Sequence, residues 1–110
     1  MKTSELVFVG IGGSVVALNR ATGTQVWATR LKRYDLVNVV LEEGRLLATC
    51  QGEIFCLDPA TGEKRWHNPL KGFGTGLATI ATEENPRNNV PALMAEKRNR
   101  EQAAAAAAAT

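Results

Sequence analysis

Two stretches decide how this chain folds: ALNRATGTQVW at residues 17–27 and CLDPATGEKRW at residues 56–66. They align without a gap at a shift of 39 residues. Leu18 falls on Leu57, Ala21 on Ala60, Thr22 on Thr61, Gly23 on Gly62 and Trp27 on Trp66. Outward from this block the register continues, with Gly13 on Gly52, Leu31 on Leu70, Lys32 on Lys71 and Tyr34 on Phe73. Both tryptophans of the protein are in phase. A period of about 40 residues belongs to propeller blades or to paired-helix repeats. The units are rich in Val, Ile, Leu, Thr and aromatics and are broken every few residues by Gly or Asn, which selects β-structure.

Each unit reads as a hairpin, a third strand and a fourth. In the first, residues 6–11 and 14–18 flank Gly12-Gly13, a two-residue turn whose positive φ angles suit glycine. Strands at 25–30 and 35–41 follow. The second unit repeats this with 46–50, a Gln51-Gly52 turn, 54–57, 64–67 and a last strand at about 75–82. Alternation puts Val7, Val9, Val16 and Leu18 on one face of the first hairpin and Phe8, Val15 and Ala17 on the other. A hairpin apolar on both faces sits between neighbours in a stack. The chain divides into a first repeat (1–44), a second (45–85) and a tail (86–110).

The two quoted stretches resemble the tryptophan-docking motif of the PQQ-like β-propeller repeat family, Ala-x-Asp-x-x-Thr-Gly-x-x-x-Trp. The first departs from it at Asn19 and the second at Cys56. The resemblance covers about residues 5–82. It implies that each Trp packs on the Thr-Gly turn of the adjacent blade. On that basis Asn19, Thr22, Gly23, Trp27, Asp58, Thr61, Gly62 and Trp66 are blade-docking residues and have no catalytic part.

A propeller closes with roughly 4 to 8 four-stranded blades, and this chain supplies strands for two. Two repeats alone leave outer faces open, including the segment Leu6-Val7-Phe8-Val9. The order is also permuted. A blade begins with its innermost strand, whereas this chain begins with a hairpin and ends with a strand of the innermost type. The expectation is therefore a cyclic homo-oligomer, the last strand of one chain completing the first blade of the next. The family often closes with about eight blades, which implies a tetramer, with a trimer of about six blades next. The rival reading is a piece of a longer propeller protein, against which the change of composition in the tail weighs.

The net charge of +2 lies wholly in that tail, since residues 1–85 carry nine basic and nine acidic side chains. This is too weak for nucleic acid, which demands a dense basic stripe. Residues 91–109 carry helix formers, including the run Ala103 to Ala109, and read as a helix or a disordered tail. Lys2 followed by the apolar residues 6–18 has the outline of a short signal peptide. Glu5, the three glycines within it and the recurrence of its pattern inside the chain speak against that, and no run approaches the ~18 apolar residues of a membrane span. The expected location is cytoplasmic, with no membrane partner.

Candidate chemistry is sparse. A quinone cofactor, suggested by the family's name, needs a ring of binding side chains and usually a calcium site. Asp35 is the one promising carboxylate, because Asp58 belongs to the repeat motif. No cofactor, metal or catalysis is expected. Cys50 lies opposite Glu53 and Cys56 opposite Leu47, so the two sulfurs point to opposite faces and act as small apolar residues. His67 has no visible catalytic partner. The loops before the innermost strands hold Lys32, Arg33 and Tyr34 in one repeat and Lys71 and Phe73 in the other. Repeated around a ring, they form a basic-aromatic rim suited to an anion or an acidic peptide. The plainer reading is that the aromatics pack between blades and the lysines are solvated. The leading expectation is a self-assembling propeller that acts as a scaffold or protein-interaction module. A small-ligand or anion-binding propeller is the alternative, and a quinone-dependent enzyme subunit comes last.

Overall fold

A computed structural model describes residues 1–86. The expected tail helix and the tail segment beyond Pro86 lie outside the described residues. After a 3₁₀ turn at Thr3–Glu5 come β1 (Leu6–Ile11), β2 (Ser14–Asn19), β3 (Gln25–Arg30), β4 (Val37–Glu42), β5 (Arg45–Cys50), β6 (Glu53–Leu57) and β7 (Lys64–Asn68). Among the described residues they form two antiparallel sheets, β1-β2-β3 and β4-β5-β6-β7.

The turns set the register. Ile11 pairs with Ser14 across Gly12-Gly13, whose φ angles are 55° and 79°. Cys50 pairs with Glu53 across Gln51 and Gly52, at 51° and 76°. These are the mirror-image turns whose twist matches that of paired strands. With the register set, faces follow. Val7 pairs with Leu18 and Val9 with Val16 on one face of the first hairpin, and Phe8 pairs with Ala17 on the other.

The core sits between the sheets. Val15 and Leu31 meet Val37, Leu46, Ala48, Cys50, Phe55 and Leu57, with Phe8, Trp27 and Val39 packed at the margin. Burying an aliphatic or aromatic side chain of this kind contributes about 1.5–3 kcal/mol. The far face of the second sheet holds a smaller cluster of Val40, Leu47, Cys56 and Ile80. The segment after β7 covers it: the Asn85 side-chain amide donates to the Leu41 carbonyl at 2.9 Å, and the Glu43 amide donates to the Glu84 carboxylate at 3.2 Å.

The first sheet has three strands of the four expected for a blade: the strand expected at 35–41 runs Val37–Glu42 and opens the second sheet as β4, in the permuted order that leaves the first blade without its innermost strand. Two expectations change. Residues 75–82 form no strand. An extended segment becomes a strand only where it pairs with a neighbouring edge, and no described strand pairs with these residues. The open surface of the first sheet is also narrower than the composition of residues 6–9 suggests. Leu6 is buried and Phe8 half-buried, so Val7, Ile11 and Val26 are its large exposed apolar residues.

Candidate functional site

The repeat motif builds one contact between the two sheets. Asp58 Oδ1 accepts the Ala60 amide at 2.8 Å, and the Gly62 amide donates to the Asp58 carbonyl at 2.7 Å, closing a tight turn after β6. Trp27 of β3 lies on that turn. Its indole Nε1 donates to the Pro59 carbonyl at 3.0 Å, and the Thr29 hydroxyl donates to the Gly62 carbonyl at 2.6 Å. Gly62 has φ 79°, and a Cβ there would overlap the Trp27 ring. Glycine is required twice over, for the backbone conformation and for the approach of the indole. Phe8 supports the ring from its own sheet, at 6.0 Å between centroids and a 42° tilt.

The same motif in the first repeat builds the same turn. Asn19 Oδ1 accepts the amides of Ala21 at 2.9 Å and Thr22 at 3.3 Å, and the Gly23 amide donates to the Asn19 carbonyl at 2.7 Å. An Asn supplies the acceptor oxygen that an Asp would, so the departure at Asn19 preserves the turn. Thr22 and Thr61 act alike, each hydroxyl oxygen accepting the amide two residues on. The difference is in what covers the turns. Apart from its two chain neighbours, no described residue has an atom within 4 Å of where a Cβ on Gly23 would stand. Trp66 sits on the far face of the second sheet, opposite Cys56, and is 47% exposed. Among the described residues there are thus one completed Trp-on-turn contact, one uncovered turn at the first sheet and one uncovered Trp at the second.

The loop Leu31–Asp35 is tied down at one end of the sheets. The amides of Leu31 and Lys32 donate to the Gly13 carbonyl, and the Gly13 amide donates to the Asp35 carbonyl. Lys32 forms an ion pair with Glu53 of the second sheet. His67 Nε2 lies 2.6 Å from the other Glu53 oxygen, and its ring stacks on Phe55 at 4.3 Å between centroids. The Lys32 hydrogen bond, and after it that of His67, holds the Glu53 carboxyl below its ordinary range against the opposing effect of burial. Glu53 is the residue that sequence reasoning missed. Its signal was the register itself: Cys50 opposite Glu53 and Phe55 opposite His67 place both polar side chains on the face that meets the first sheet.

The remaining rim residues do not converge. Arg33, Lys71, Tyr34 and Phe73 are exposed, the two aromatics at 82% and 84%. Arg30 lies over the Tyr34 ring at 5.4 Å. Cys50 and Cys56 are free and buried in separate apolar clusters on opposite faces. Burial, with the Asp35 charge adding to it, pushes the Cys50 thiol up to about 11. Burial raises that of Cys56 as well.

Two antiparallel sheets in a repeat of 39 residues, joined face to face by a tryptophan on a Thr-Gly turn, define a PQQ-like β-propeller repeat protein. A family model described as outer membrane protein assembly factor BamB matches residues 11–106, and the chain belongs to that family. No curated protein matches the chain.

Proposed function

We propose that this chain is a two-blade unit that closes a β-propeller ring with copies of itself and serves as a non-catalytic scaffold for protein interaction. The observation that carries this reading is the pair of uncovered half-sites. The Trp27–Gly62 contact is the template, and Trp66 and the Asn19–Gly23 turn are its two halves, held at opposite ends of one chain. A donor at one end and its acceptor at the other make a heterologous, head-to-tail interface, which closes as a ring.

The repeat frame also supplies the missing strand. Residues 76–81 stand 39 positions after β4, and β4 pairs with β5, the counterpart of β1. β1 is an edge strand of the first sheet. Residues 76–81 of one copy thus pair with the β1 edge and complete that sheet in the next. The absence of catalysis is supported by the chemistry of the candidates: both thiols are buried in apolar clusters, and the one histidine is held by Glu53 and Phe55. The family's description as an assembly factor supports an interaction role.

Native mass spectrometry and light scattering at micromolar concentration test the reading. The expected mass is four times 11.8 kDa, with three times next. A mass of 11.8 kDa overturns self-assembly. A second reading, an anion or acidic-peptide site at the rim, is favoured by the exposure of Tyr34, Phe73, Arg33 and Lys71 together. Lys32 is the weakest member of that set because Glu53 already holds it.

A further inference from the structure

Trp27 does not dock alone. Thr29 stands two residues on along β3, and so on the same face. Its hydroxyl donates to the Gly62 carbonyl at 2.6 Å while the Trp27 indole donates to the Pro59 carbonyl at 3.0 Å. The contact is thus a pair of side-chain donors on one strand and a pair of backbone acceptors on one turn. One period on, the donors are Trp66 and Asn68. One period back, the acceptors are the carbonyls of Arg20 and Gly23. The two turns are held alike: the Asn19 amide donates to the Thr24 carbonyl at 2.7 Å, and the Asp58 amide to the Glu63 carbonyl at 2.8 Å. No described group donates to the Arg20 or the Gly23 carbonyl, and both residues are exposed.

The apolar faces follow the same shift. Leu46, Cys50 and Phe55, buried in the core between the sheets, correspond to Val7, Ile11 and Val16 on the face of the first sheet turned away from the second. Val7 and Ile11 are exposed there. Asn68 is the departure from the template, and its chemistry suits a surface contact. A threonine hydroxyl has one proton to give, whereas an asparagine amide has an acceptor oxygen and two donors. Asn68 Oδ1 accepts the Leu70 amide at 2.8 Å, and no described residue accepts from its Nδ2. The side chain is therefore held in its own loop before docking, so less freedom is lost when it docks.

We infer that Asn68 is a docking residue of the interface between copies, its Nδ2 donating to the Gly23 carbonyl of a second copy beside the bond from Trp66 to the Arg20 carbonyl. The inference rests on the head-to-tail reading above and adds to it a polar partner outside the tryptophan motif. Sedimentation velocity across a dilution series tests it by reading the concentration at which the assembly comes apart. Asn68→Asp keeps an oxygen for the Leu70 amide and removes the donor, and Asn68→Ala removes both. Each is expected to raise that concentration about fivefold or more, because the Gly23 carbonyl is left without a donor at the interface. Asn68→Thr, which installs the donor of the contact within the chain, stays within about twofold of the parent. A role confined to the loop at Leu70 would instead spare Asn68→Asp. A parent protein that is monomeric throughout overturns the ring and this contact together. A ring that comes apart alike in the parent and in Asn68→Asp, or one that Asn68→Thr weakens as much as Asn68→Ala, overturns the contact alone.

Discussion

Trp27 reaches from β3 of the first sheet to the Pro59 carbonyl beside the second, a hydrogen bond of 3.0 Å that joins residues 32 positions apart. Its counterpart 39 residues on, Trp66, meets no such turn among the described residues and stands half-exposed. One sequence motif therefore has two different roles, one inside the chain and one at its surface.

Truncating the two tryptophans separates those roles. Trp27→Ala removes a packed indole and its hydrogen bond and costs about 2–4 kcal/mol of folding stability, read by urea denaturation. Trp66→Ala leaves the circular dichroism spectrum unchanged and reduces the native mass to that of one chain. A Trp66→Ala protein that still forms the ring contradicts the docking geometry.

The two motif glycines give the same contrast from the acceptor side. Gly62→Ala forces a Cβ into the Trp27 ring at a positive φ, for a loss of about 2–4 kcal/mol from strain and overpacking. Gly23→Ala carries only the conformational part, about 1–2 kcal/mol in the separated chain. It should nevertheless weaken the ring, because the added methyl group occupies the place where an incoming Trp66 would sit. Sedimentation velocity across a dilution series reads both effects.

Acid should loosen the tie between the sheets. Lys32 and His67 hold the Glu53 carboxyl below its ordinary value of 4.5. A carboxylate depressed in the folded state binds fewer protons there than in the unfolded state. Its stabilisation is therefore complete above pH 4.5 and is lost as pH falls through the folded value. Glu53→Gln removes this part of the acid sensitivity. Urea midpoints measured at pH 7 and at pH 3 to 4 should converge for the variant and diverge for the parent protein.

Both cysteines should be slow to react. With the Cys50 thiol at about 11, only about one molecule in a thousand is thiolate at pH 8, and burial restricts access as well. Native protein is expected to give almost no fast reaction with a thiol-specific chromogenic disulfide, and guanidinium-unfolded protein two equivalents. A fast equivalent in the folded state would place one sulfur outside the apolar clusters.

How much of this was legible in the sequence depends on the range of the interaction. The hairpins were, because a two-residue turn at Gly12-Gly13 or Gln51-Gly52 fixes the register of every pair beside it. That register in turn placed Cys50 and Cys56 on opposite faces. The Asn19 and Asp58 turns were legible too, since their hydrogen bonds span two to four residues. The contacts of Glu53 were not. Lys32 and His67 reach it from a loop and a strand separated in the chain, and no local pattern encodes that meeting. Nor was the burial of Asn38, whose Nδ2 meets the Ala78 carbonyl of the segment after β7.

The sequence by itself determined the repeat, the β-class, the turns and the face on which each side chain stands, because all of these follow from spacing and backbone conformation over a few residues. Only the tertiary structure decided that residues 75–82 pair with no strand of the described chain and that one tryptophan is docked while its twin is open. These depend on which edges and faces are brought within reach, and a repeat of identical motifs does not carry that information.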